Sequence, residues 1–78
     1  MLSFVAFARD GAYCGAWPSC IDWCRAQVAR DPRVVAHVLL ARGGEKHGRV
    51  VAEVTSDGER RVSRGRLVPL KKVPAWGG

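Results

Sequence analysis

No stretch of the 78-residue chain approaches the ~20 consecutive apolar residues that a membrane helix requires. Acids are scarce, at seven Asp and Glu against 13 Lys and Arg, for a formal charge of +6. The three cysteines are an odd number, which excludes a complete disulfide framework and fits a reducing, cytoplasmic setting. Their spacing, Cys14, Cys20 and Cys24, is none of the usual zinc patterns, so no metal is expected. Gly43-Gly44 lacks the Lys-Ser/Thr and helix of a phosphate-binding loop, and no cofactor motif is present. The opening Met1–Ala8 is apolar but has no basic residues, so a signal peptide is not expected.

What is there is globular. Apolar residues make up 47% and charged residues 26%, enough for one small core. A chain of this length buries only about 60–65% of its unfolded surface, which leaves little room for a deep pocket beside that core. The charge is unevenly placed. Residues 1–31 hold three basic and three acidic residues; residues 32–78 hold ten and four, the entire surplus. Arg60–Lys72 contains six basic residues and no acid. Such asymmetry predicts an anionic partner, either nucleic acid or an acidic protein surface.

The hydrophobic pattern predicts an α+β domain over residues 1–73, with residues 74–78 as a flexible tail. Leu2–Ala8 is a predicted strand, Arg9-Asp10-Gly11 a turn, and Ala12–Pro18 an irregular link. Ser19-Cys20-Ile21-Asp22 fits a capping box, so a helix is expected over Cys20–Arg30, ended by Pro32. Ile21, Cys24 and Val28 share its apolar face. Residues 34–41 are apolar on both alternating faces, the mark of a central strand. Val50, Ala52 and Val54 mark a half-buried strand, and Asp57-Gly58 signals a hairpin. Val62 and Leu67 differ in parity, and Gly65 between them indicates a bulge or tight turn. Leu67–Val73 is read as a last edge strand, limited by Pro69. The expected order is β-α-β-β-β, one helix packed on an antiparallel meander.

Three sets of residues are candidates for function. The first is the basic hairpin: Arg60, Arg61, Arg64, Arg66, Lys71 and Lys72, extended by Lys46 and Arg49. Guanidinium groups grip phosphate in bidentate fashion. No aromatic residue stands among these cations, which excludes stacking-based readout of single strands. The second set is Tyr13, Trp17 and Trp76, candidate anchors for a protein contact. The third is Cys20 with His47, a thiol in the first turn of a helix and an imidazole heading a strand. His37, in mid-strand among apolar neighbours, reads as a hydrogen-bonded interior histidine.

Cys20 on a helix followed by His47-Gly48-Arg49-Val50-Val51-Ala52-Glu53-Val54 and Asp57-Gly58 is similar to the arrangement of papain-like and transglutaminase-like enzymes. That likeness implies a cysteine hydrolase, although the aromatic and acidic residues after the histidine are missing or displaced. Val50–Leu70 resembles the strand–hairpin–strand part of small SH3-like barrels, which implies binding of nucleic acid or protein. The leading expectation is a non-catalytic binding module whose Arg-rich hairpin meets an anionic partner. Its size suits a phage or mobile-element regulator such as an anti-defence, anti-CRISPR-like inhibitor. The alternatives are the minimal cysteine hydrolase and a structural homodimer joined through a strand edge.

Overall fold

The computed structural model describes residues 2–9 and 11–73. One helix packs on an antiparallel sheet. The strands are β1 (Leu2–Phe7), β2 (Ala12–Gly15), β3 (Ala36–Arg42), β4 (His47–Thr55), β5 (Gly58–Arg61) and β6 (Leu67–Pro69). The helix α1 (Trp17–Arg30) lies between β2 and β3, and a 3₁₀ turn (Leu70–Lys72) follows β6. The order across the sheet is β2-β1-β3-β4-β5, with β6 also pairing with β4. β3 is central and largely buried on both faces, as its mostly apolar run, interrupted by His37, predicts. Among the described residues the sheet ends at β2 and β5 without closing.

Two expectations about local structure are corrected. The link after β1 is the strand β2, paired with β1 from Phe4–Gly15 to Phe7–Ala12, and the Ala8 N–H donates to the Gly11 carbonyl at 3.0 Å. The expected turn residue Asp10 and the tail with Trp76 lie outside the described residues. The helix begins at Trp17 rather than Cys20, with Ala16 as its N-cap and no side-chain cap. Pro18 in the first turn accounts for this: its fixed φ suits a helix start, and its missing N–H is one that the first turn leaves unpaired anyway. Ser19 therefore lies inside the helix. At the other end the Asp31 N–H donates to Gln27 at 3.1 Å, and Pro32 follows.

The helix buries Cys20, Ile21, Cys24 and Val28. They meet a sheet face built largely of small residues: Ala6, Ala8, Ala36, Val38, Ala52 and Val54. Alanines from β1, β3 and β4 leave room for the helix on this face. Fully burying Ile21 alone stabilises the fold by roughly 2 kcal/mol. The opposite face holds Val5, Leu39, Ala41 and Val50. It is not left open, because Leu70 and Val73 fold back across it. The register of β3 against β4 shifts between Val38 and Leu39, where Val51 is the extra residue. That bulge lets both Ala52 and Val51 pack on the helix side while Val50 packs on the other.

Candidate anionic-partner interface

The outer edge of β4 is shared by two strands. β5 pairs with Ala52–Thr55 and β6 with His47–Arg49. Between them Ser63-Arg64-Gly65 loops out. The loop is closed by the Val62 N–H donating to Val51 at 2.9 Å and the Val50 N–H donating to Arg66 at 3.0 Å. Val62 and Val68 pack against the Val5–Leu39 cluster on either side of this loop, and Leu67, expected to turn inward, is exposed. Gly65 is buried, and a Cβ there would lie 1.9 Å from the Val50 carbonyl oxygen, so only glycine fits the crossing. Arg64 takes a left-handed φ of 56° in the middle of the loop, and the Arg49 guanidinium donates to the Gly65 carbonyl at 2.8 Å.

The eight expected basic residues are all exposed, but they do not form one face. Arg60 and Arg61 point to opposite sides of β5, as alternation requires. Arg60 is paired with Glu53. Arg61 lies on the helix side, 4.4 Å above the Trp17 ring, which in turn meets Phe4 edge-on at 5.3 Å. Trp17 is thus half-buried beneath a cation rather than a free anchor, whereas Tyr13 on β2 is exposed. Arg49 is engaged by the bulge. Lys46, Arg64, Arg66, Lys71 and Lys72 have no acid within ion-pair distance among the described residues. Lys71 and Lys72 join Lys46 at the far end of the edge, where the Leu70 N–H donates to the Lys46 carbonyl at 2.9 Å. The result is a band along β4, from Arg60 and Arg61 through Arg64 and Arg66 to the three lysines. From Ala52 to His47 it runs roughly 17 Å at about 3.3 Å per residue.

The face opposite the helix carries a cross-strand row in which Phe7, His37, Glu53 and Arg60 stand side by side on four strands. The Phe7 and His37 rings stack with centroids 5.2 Å apart. His37 Nε2 lies 3.4 Å from Glu53 Oε2. Nδ1 is buried without a partner among the described residues. Burial, and after it the charge of Arg66, hold the imidazole below its ordinary pKa despite the opposing pull of Glu53. Protonation at Nδ1 would bury a donor with no acceptor, so the neutral form with the proton on Nε2 fits the site. Hydrogen bonding to Arg60 leads the causes that hold the Glu53 carboxyl below its usual range.

The cysteine alternative meets a different environment from the one it needs. Cys20 is fully buried, and its Sγ faces the carbonyls of Phe4 at 3.7 Å and Gly15 at 3.6 Å. Burial pushes its thiol up, and that of Cys24 up to about 12. A nucleophilic cysteine requires a lowered pKa and access. His47 is exposed at the start of β4, paired in register with Pro69. Cys14 is exposed on β2, and all three cysteines are free. Among the described residues, no cluster of His, Cys, Asp or Glu could hold a metal ion.

Two residues that sequence reasoning passed over join the basic surface. Arg9, from the charge-balanced part of the chain, and Arg33, beyond the helix, reach the same cleft as Lys72 and His37. Only the pairing of β1 with β3 and the return of the 3₁₀ turn bring them together. No helix among the described residues is long and apolar enough to cross a membrane. Comparison with protein-family models, with curated proteins and with solved structures finds no match.

Proposed function

We propose that the domain is a non-catalytic binding module whose basic band along the outer edge of β4 engages the phosphate backbone of nucleic acid. The observation that supports this reading is the set of five exposed cations on that edge, Lys46, Arg64, Arg66, Lys71 and Lys72, none within ion-pair distance of an acid among the described residues, although Glu45 stands near the three lysines. From Val50, opposite Arg66, to His47, beside Lys46, these cations lie along roughly 10 Å of strand, about three nucleotide steps of 3.4 Å. The buried, raised thiol of Cys20 weighs against the hydrolase reading.

The second reading is an acidic protein surface. It is favoured by Leu67, which stands 55% exposed beside Arg66 and in register with Arg49. An apolar side chain among arginines suits a protein contact better than a phosphate chain. Either mode is compatible with a small phage or mobile-element regulator of the anti-defence type.

Fluorescence anisotropy with a labelled random-sequence duplex at low salt tests the first reading. The wild-type protein is expected to bind, and Arg64→Glu with Arg66→Glu to weaken binding at least tenfold while the fold persists. Absence of binding at low salt would eliminate the nucleic-acid reading and leave the protein surface.

A further inference from the structure

A second site stands apart from the bulge of the basic edge. Where β1 ends and β3 begins, Phe7, Ala8, Arg9, Asp31, Arg33, Val34, Val35, His37 and Lys72 line a cleft of about 490 Å³. That volume lies within the ~300–1,000 Å³ of ordinary small-ligand sites. Its walls have two characters. One is apolar: the Phe7–His37 stack, with Val34 and Val35. Val35 is 45% exposed, an apolar side chain left in solvent at the cleft. The other is cationic. Arg9, Arg33 and Lys72 arrive from three separate segments.

The one acid in the lining is already occupied. Asp31 accepts from the Arg33 side chain at 3.2 and 3.5 Å and from its backbone N–H at 3.1 Å. The Arg33 side chain remains largely exposed, and the charges of the lining still sum to a positive excess. Lys72 is positioned by its neighbours, because Leu70 and Val73 are buried against the sheet on either side of it.

We propose that this cleft binds a small organic anion with a planar apolar body, such as an aryl phosphate or aryl carboxylate. The anionic group lies among Arg9, Arg33 and Lys72, and the ring lies against Val35 and the Phe7–His37 stack. Purely inorganic anions would leave the apolar wall unused, and neutral aromatics would leave the cations unanswered. The site shares Lys72 with the proposed nucleic-acid edge but includes neither Arg64 nor Arg66, so variants at those two arginines separate the two readings.

The test is a titration of ¹⁵N-labelled protein followed by amide shifts, with phenyl phosphate, inorganic phosphate and benzyl alcohol as probes. Phenyl phosphate is expected to shift residues 7–9, 33–37 and 72–73 along one saturable curve with a Kd near ~1 mM, the order that ligand efficiency gives for about eleven heavy atoms. The other two probes should bind at least tenfold more weakly. Arg9→Ala with Lys72→Ala should weaken phenyl phosphate about tenfold, and the exposed Val35→Asp should do the same without unfolding the domain. Arg64→Glu should change nothing. The proposal is overturned by an unsaturated titration, by inorganic phosphate binding as tightly as phenyl phosphate, or by equal loss on Arg64→Glu.

Discussion

Gly65→Ala tests the architecture of the basic edge. The added Cβ would stand 1.9 Å from the Val50 carbonyl oxygen and 2.8 Å from its carbon, both backbone atoms that cannot rotate away. Relief requires the loop to move outward by more than an ångström. That motion breaks the 3.0 Å bond from the Val50 N–H to Arg66 and draws the Gly65 carbonyl from Arg49. Overpacking of this kind costs about 1–3 kcal/mol, and a buried donor left without a partner about 1–3 more. The expected loss is therefore about 3 kcal/mol, a large share of the roughly 4–12 kcal/mol that a domain of this size commands. Thermal unfolding followed by circular dichroism should show a fall in Tm of roughly 12–24 °C. Gly44→Ala is the matched control. Gly44 has a φ of 86° but nothing within 4 Å, so only backbone strain of about 1–2 kcal/mol applies. If Gly65→Ala unfolds within ~0.5 kcal/mol of the wild type, the close crossing of bulge and β4 is wrong.

Thiol labelling of the native protein should modify Cys14 readily and leave Cys20 and Cys24 protected until denaturant is added; rapid native labelling of Cys20 would revive the hydrolase reading. His37 has a folded pKa below its ordinary value, so its neutral form supports the fold fully above pH ~6.5, and that support is lost as pH falls below it. Tm should accordingly drop between pH 7.5 and 5.5, and the His37 ring resonance should titrate below ~6.5; a midpoint above that value refutes the burial argument. Arg61→Ala removes the cation over Trp17 and should cost about 0.5–1 kcal/mol, whereas Arg64→Ala should stay within ~0.5 kcal/mol by chemical denaturation. Equal effects would mean that the Arg61–Trp17 contact is not formed in solution.

The elements with strong periodicity were legible without coordinates. The two-sided, mostly apolar run of β3, the stripe Ile21, Cys24 and Val28, and the hairpin signalled by Asp57-Gly58, whose loop residues are Ser56 and Asp57, were each readable from pattern alone. A break at Gly65 was legible, but the inward residue after it was not: Val68 packs on the sheet and Leu67 is exposed. β2 escaped notice because Ala12-Tyr13-Cys14-Gly15 has no β-branched residue and owes its conformation to pairing with β1. The helix start was misplaced because a capping box and a first-turn proline competed, and the proline prevailed.

The basic residues were found as a list but not as a surface. Sequence order grouped Arg60 with Arg61, yet strand alternation puts one against Glu53 and the other on Trp17. Charge reversal at those two positions would therefore disturb packing as well as binding, and Arg64 and Arg66 are the cleaner probes. Nothing local in the chain connects Arg9 with Arg33 and Lys72. Their cleft is a product of topology alone.

The salt dependence of duplex binding tests the central claim most directly. If Lys46, Arg64, Arg66, Lys71 and Lys72 each neutralise a phosphate, log K should fall against log salt with a slope of up to about −4.5. Replacing Arg64 and Arg66 with alanine should make that slope shallower by about 1.8. A wild-type slope near zero, or a slope unchanged in the double variant, would contradict a phosphate contact on this edge.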